Sequence, residues 1–307
     1  MKGFIFVLIF IISSSVLGQT KVKNAYKQLT KGDYEKASEL LSEVKTEDIK
    51  LEFYYVRALC NLKTASTKEA YFSIYEDFQK GDPAFEKDPK EIENLLKDFD
   101  LNAYSYDAAK GKFFESAFNF YKGIDQTVSW KDHNAKYASS PFLTEGYNLE
   151  SLAALRDALA NGGDAQKLKA VYQEYKGMEA SAKAYDAWGE LEFKVVSVQN
   201  NSEALRKFSM EFEVHTRSKE AFSMARAMDY KLAMNEMAIP TLEKFISTYQ
   251  EGEEYKSVFN VLDSLYHKDL MINFKDIAFE SYAKRFTEGP RRLELDSLFN
   301  QLIFEKL

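Results

Sequence analysis

An all-α chain of stacked helical hairpins, an α-solenoid, is the fold class this sequence predicts, and three observations predict it. Turn-forming residues are scarce: 13 Gly and 5 Pro among 307 residues are too few for a turn-rich β-sandwich or barrel. An aromatic or apolar pair at i, i+4 recurs at a 37-residue step through the C-terminal half. Between its copies lie longer stretches with the apolar spacing of amphipathic helices. The remaining composition, 45% hydrophobic and 29% charged with a single Cys, excludes collagen-like, disulfide-rich and bulk-disordered classes. Only one apolar run is long enough to notice, which excludes a multi-span membrane protein.

That run opens the chain. Met1-Lys2-Gly3 precedes nine apolar residues, Phe4 to Ile12, and then Ser13-Ser14-Ser15-Val16-Leu17-Gly18-Gln19. One positive charge, a short apolar core and small residues at Val16 and Gly18 predict a secretory signal peptide over residues 1–18, cleaved near Gly18-Gln19. A spanning helix needs about 20 apolar residues, more than this run offers. The only Cys, Cys60, is far from the cleavage point, so no lipid anchor is expected. Cys60 sits in an apolar helical stretch, where a buried, inert thiol is expected.

The formal charge is −7, and loss of Lys2 with the leader makes it one unit more negative. Acidic and basic residues alternate along the chain, as on a solvated surface. A nucleic-acid partner would call for a Lys/Arg stripe, so none is expected, and neither is docking on anionic lipid.

Residues 19–125 form an N-terminal array. Ala25 is followed by Gly32-Asp33-Tyr34-Glu35-Lys36-Ala37, and a second copy carries Ala58 and Ala70, each 33 residues on. Small residues there let two helices approach closely, with Tyr34 wedged between them. The second copy closes on Ile74-x-x-x-Phe78-x-x-Gly81-Asp82-Pro83, a predicted helix stop, and a looser third runs from Ala103 to Gly123. Residues 126–163, with Trp130, His133, Ser139-Ser140-Pro141 and Asn161-Gly162-Gly163, read as an irregular connector or a degenerate repeat.

Residues 164–307 form the C-terminal array and its capping helix. The pairs are Val171/Tyr175, Phe208/Phe212, Phe245/Tyr249 and Tyr282/Phe286, three residues after Leu168, Leu205, Leu242 and Phe279. Leu191, Met228, Leu265 and Leu302 keep the same step. The short helices end at Gln250-Glu251-Gly252 and Thr287-Glu288-Gly289-Pro290, and Pro240 suits a first turn. Longer helices are expected near 218–235 and 254–268.

The set Ala25, Gly32, Tyr34, Ala37, Ala58, Ala70 and Pro83 resembles the tetratricopeptide repeat pattern. The 37-residue units resemble the variant found in Gram-negative envelope proteins, in repeat regions preceding OmpA-type domains and in outer-membrane assembly proteins. The likeness covers about residues 20–125 and 164–305. It departs at Lys21, where the family usually has Trp, and at Glu213, Gln250 and Thr287, where it has Pro. It implies a right-handed superhelix that binds a protein or peptide partner in a concave groove. Carried over from Ala25 and Ala58, the groove residues are Tyr26, Leu29, Tyr55 and Leu62, for which a place in the core is the rival assignment.

No phosphate loop, zinc helix, nucleophile elbow or Cys-x-x-Cys pair occurs. His133, His215 and His267 are isolated, the last two at helix or turn edges where a solvated imidazole is ordinary. Acidic pairs such as Glu47-Asp48 and Glu253-Glu254 carry no catalytic weight without a pocket. The expectation is therefore an exported scaffold of the periplasm or cell envelope, with no catalytic residue, metal or cofactor. The alternative is a glycan-binding accessory protein using some of the 24 Phe, 19 Tyr and 2 Trp as stacking platforms.

Overall fold

A computed structural model describes residues 18–49, 51–87, 106–272, 276–287 and 289–306, with fifteen α-helices and no strand among them. Residues 1–17, all but the last of the predicted leader over 1–18, and the start of the predicted third copy at Ala103 lie outside the described residues. No helix of the described residues is long and apolar enough to cross a membrane. Two compact units are distinguished, residues 18–157 with 174–181 and residues 158–173 with 182–306.

In the first unit, α1 covers residues 18–30, followed by α2 (Tyr34–Ser42), α3 (Leu51–Leu62), α4 (Lys68–Lys87), α5 (Tyr106–Ile124), α6 (Thr127–Lys136) and α7 (Leu143–Leu159). Gly32 takes φ +81, a left-handed turn that suits glycine, and Asp33 caps α2 by accepting from the Lys36 N–H. The small residues Ala25, Ala37 and Ala58 are buried, as close helix approach requires. Helix α2 packs on α3, α3 on α4, α4 on α5 and α5 on α6.

The core of this unit is aromatic. Tyr75 lies 5.8 Å from Phe113 and 5.2 Å from Tyr137, and Phe118 stacks on Phe142 at 4.9 Å. Buried Asp77 accepts both Nε and Nη2 of Arg57, at 2.8 and 2.6 Å. Cys60 is a buried free thiol donating to the Tyr34 carbonyl, and burial raises its pKa.

One expectation is corrected here. The stop at Gly81-Asp82-Pro83 lies inside α4, which continues to Lys87. Proline removes one N–H donor and crowds one carbonyl, a local fault that helical bonds on either side can span. Residues 126–163, read as an irregular connector or a degenerate repeat, are mostly the helices α6 and α7, joined by the Asn134–Glu150 hydrogen bond described below.

The second unit holds α8 (Ala165–Glu174), α9 (Glu179–Ser197), α10 (Ser202–Glu211), α11 (Ser218–Glu236), α12 (Ile239–Thr248), α13 (Glu253–Ile272), α14 (Asp276–Arg285) and α15 (Arg292–Lys306), with parts of α8 and α9 at its boundary. The short helices each span ten residues and begin at 165, 202, 239 and 276, a strict 37-residue step. The pair columns and the column three residues before them are buried in every copy, from Leu168, Val171 and Tyr175 to Phe279, Tyr282 and Phe286, whereas Leu191, Met228 and Leu265 of the remaining column are half-buried and Leu302 lies outside the described side chains. Pro240 stands in the first turn of α12. Helix α10 packs on α11, α11 on α12, α12 on α13 and α13 on α14, while α11 also meets α13.

Two further columns emerge only from the backbone and packing. A residue with positive φ stands two positions before the opening of α6, α8, α10 and α12: Asp125 (φ 46), Gly163 (φ 93), Asn200 (φ 47) and Met237 (φ 46). In addition, positions 189, 226 and 263 share space with positions 215, 252 and 289, and one partner of each pair is glycine. A Cβ on Gly189 would lie 2.5 Å from His215, one on Gly252 would overlap the Arg226 guanidinium, and one on Gly289 would lie 2.9 Å from Asp263. The large side chain is on the turn in the first pair and on the long helix in the other two.

Candidate functional site

The four groove residues carried over from the repeat pattern are placed mostly inside the first unit. Tyr26, Leu29 and Tyr55 are 0%, 3% and 1% exposed, which matches their core assignment. The buried stripe on α1 is broad, taking Ala25, Tyr26 and Leu29 together, so the neighbour of a small residue is not turned outward. Burial raises the Tyr55 hydroxyl well above the ordinary tyrosine range. Leu62 is half-buried and, with Leu29, Leu59 and Lys112, borders a hollow of ≈ 390 Å³.

Two wider grooves lie in the second unit. A groove of ≈ 650 Å³ is bordered by α8 (Lys169, Tyr172), α9 (Tyr185, Asp186, Trp188) and the end and following turn of α10 (Met210, Glu211, Glu213, Val214). A second groove of ≈ 620 Å³ is bordered by Gln250, α13 (Tyr255, Lys256, Phe259, Asn260) and the end of α14 (Arg285, Thr287). Two periods separate them: Tyr185 corresponds to Phe259, Asp186 to Asn260, Glu211 to Arg285 and Glu213 to Thr287.

What both grooves share is an aromatic on the long helix lying against the aromatic that closes the next short helix. Tyr185 lies 5.6 Å from Phe212, and Phe259 lies 5.3 Å from Phe286. The copy between them repeats it, with Phe222 at 5.4 Å from Tyr249. The closing rings are buried, while Tyr185 and Phe259 are half-buried and Phe222 is exposed. Tyr249 donates to Asp229, and its hydroxyl is pushed up to about 12, mainly by burial.

The charges of the two grooves differ. The first carries Asp186, Glu211 and Glu213 against Lys169, whose ammonium lies 4.7 Å over the Trp188 ring and 3.6 Å from Glu211. In the second, Arg285 pairs with Glu243 at 2.8 Å and Lys256 with Glu253 at 2.8 Å.

The first unit holds a different constellation. Trp130 and His133 on α6 and Tyr137 just after it repeat the spacing of Leu168, Val171 and Tyr175, but 38 residues earlier, and all are buried. His133 thus occupies a column that is Val, Phe, Phe and Tyr elsewhere. Buried Glu150 on α7 occupies, by the same offset, the column of Trp188, Ala225 and Leu262. Asn134 bridges them: its Oδ1 is 2.9 Å from His133 Nδ1, and its Nδ2 donates to Glu150 at 2.8 Å. Tyr175 donates to the other Glu150 oxygen at 2.8 Å. Because Asn134 Nδ2 faces the carboxylate, its oxygen faces the imidazole, and His133 carries its proton on Nδ1.

Burial lowers the His133 pKa, offset in part by the Asn134 hydrogen bond. Burial likewise raises Tyr121 and Tyr137 above the ordinary tyrosine range. His133 Nε2 and the hydroxyls of Tyr121 and Tyr137 are buried with no hydrogen-bond partner. The rings of Tyr121 and Tyr137 both lie 5.2 Å from the imidazole. His133 is fully buried, so this polar chain offers a substrate no approach.

His215 is also buried rather than solvated, since Gly189 leaves room for it to dock on α9. Its Nδ1 accepts from the Arg217 N–H, and its Nε2 donates to the Asp186 carbonyl at 3.0 Å. His267 is half-buried, 3.6 Å from Glu294. No three His, Cys, Asp or Glu side chains among the described residues are placed to hold a metal ion.

The grooves had a signal in the sequence that was passed over: Tyr185, Phe222 and Phe259 keep the 37-residue step. The polar chain was masked by the one-residue shift and by polar residues in apolar columns. No protein-family model matches the chain, and neither a curated protein nor a solved structure matches it.

Proposed function

We propose that this protein is an exported, non-catalytic scaffold, a solenoid of tetratricopeptide-like hairpins that binds a protein or peptide partner in the cell envelope. Export rests on the N-terminal leader pattern. The hairpin reading is supported by ten-residue helices at a 37-residue step, with α10, α12 and α14 each packed on an adjacent long helix. The observation that carries the binding role is the recurrence of Tyr185, Phe222 and Phe259, each against a buried closing ring and each left partly open to solvent. Interior packing alone would favour complete burial of rings this large, and aromatic anchors commonly dominate interfaces.

The glycan reading has less support. A sugar ring stacks best on a flat face, whereas Tyr172 is tilted by 44° to Tyr185 and by 39° to Trp188. The Trp188 face is also occupied by Lys169.

The test is capture from the protein's own envelope extract with the wild-type chain and a Tyr185→Ala/Phe222→Ala/Phe259→Ala variant. The variant's helicity is checked by circular dichroism. A partner held by the wild type and weakened about tenfold or more in the folded variant supports the reading. Undiminished capture by that variant overturns it.

A further inference from the structure

We propose that the groove bordered by Tyr172, Tyr185 and Trp188 takes a peptide segment in which an apolar side chain adjoins lysine or arginine. The inference rests on the scaffold reading and specifies its ligand. Apolar contact is available because Met210 and Val214, at the groove's edge, are 71% and 85% exposed, beside half-buried rings. Large side chains this open, next to aromatic faces, lose contact with water when an apolar residue settles among them.

The charge then selects the flanks. Glu211 is engaged by Lys169, but Asp186 and Glu213 are exposed carboxylates with no cation partner among the described side chains. The groove already holds one cation in the way proposed for the ligand, the Lys169 ammonium over the Trp188 ring with a carboxylate beside it. A lysine or arginine next to the anchoring residue would find the same combination on Tyr172 or Tyr185 with Asp186 and Glu213.

The companion groove argues that this charge is no by-product of the repeat. At the equivalent positions it has Asn260 for Asp186, Arg285 for Glu211 and Thr287 for Glu213, around a similar volume. Volume is kept while acidity is not, so a cationic ligand distinguishes the two grooves.

The experiment titrates the mature chain with blocked Lys-Leu-Phe-Lys-Leu, with its counterpart carrying Glu for Lys, and with chitotriose, following tryptophan fluorescence. Trp130 is fully buried in the other unit, so Trp188 reports on the groove. The lysine peptide is expected to bind, to weaken with added salt and to lose about tenfold, or 1.4 kcal/mol, in Asp186→Asn/Glu213→Gln. That variant alters two exposed carboxylates and should melt like the wild type. Equal binding of both peptides, binding indifferent to the double variant, or a response to chitotriose alone would overturn the proposal. If none of the probes binds while envelope capture still depends on Tyr185, Phe222 and Phe259, only the ligand assignment falls. If capture is independent of those rings, the scaffold reading falls with it.

Discussion

At the scale of single residues, His133 shows how a polar side chain survives in an apolar column. Its neighbours on every side are rings, Phe118, Tyr121, Trp130 and Tyr137, and Asn134 is its one hydrogen-bond partner. Burial disfavours the imidazolium, so the folded-state pKa lies below the ordinary value of 6.5. The unfolded chain therefore takes up the proton first as pH falls. Stability from this site is complete above about pH 6.5 and declines below it until the depressed folded pKa is passed. Chemical denaturation at pH 8 and pH 5 should show a loss that is smaller in His133→Phe, a residue already found in that column at Phe208 and Phe245. Equal losses in the two proteins would mean that His133 does not titrate differently on unfolding. The surrounding carboxylates, Glu150 among them, are present in both proteins, so the difference isolates the imidazole.

At the scale of elements, the joints between helices carry the period as firmly as the cores do. Asn200 tolerates a left-handed backbone through its short polar side chain, and Gly163 takes a positive-φ conformation (φ 93, ψ 147) open to glycine, but Met237 has neither advantage. Because Met237 is 54% exposed, little packing offsets the strain. Met237→Gly should therefore stabilise by roughly 0.5–1 kcal/mol, with Asn200→Gly closer to neutral. Gly163→Ala should destabilise, since its Cβ would also press on Leu191 at 3.1 Å. Melting temperatures decide the order, and a Met237→Gly variant that melts lower than wild type refutes it. The same joints explain what could be read from sequence. The columns of Leu168, Phe208 and Tyr249 were visible because apolar residues repeat at a fixed step. The positive-φ column was not, since Asp125, Gly163, Asn200 and Met237 share the sign of φ and no side-chain chemistry. The α6–α7 pair was hidden twice over, by its 38-residue offset and by His133 and Glu150 standing where apolar residues would have marked a core. Groove and core stay open for Tyr26 and Tyr55 in the sequence for a third reason: one sequence fixes a helix's apolar stripe only to within a residue or two, and on α1 that stripe is wide.

At the scale of the whole molecule, each unit has a core of its own. Residues from Val22 to Ala153 supply one, and Ala233 to Leu295 supply another within the second unit. Contacts in the second unit run mainly between chain neighbours, α10 to α11 and onward to α14, so few long-range bonds tie distant helices together. In such an arrangement stability is close to a sum of unit and nearest-neighbour contributions, and damage to one element spreads to adjacent ones first. Tyr249 is the place to test this, because its buried ring meets Phe245 at 4.9 Å and its hydroxyl donates to Asp229 at 2.8 Å. Tyr249→Ala removes that packing and leaves Asp229 with Arg206 and Ser202, at a cost of about 3–5 kcal/mol. Amide hydrogen exchange should then quicken most in α11, α12 and α13, less in α14 and α15, and least in α3, α4 and α5. A uniform rise across all helices would mean that the chain unfolds as one cooperative body. A rise confined to α12 alone would mean that its neighbours do not lean on it, and a stacked array would then be the wrong description of these helices.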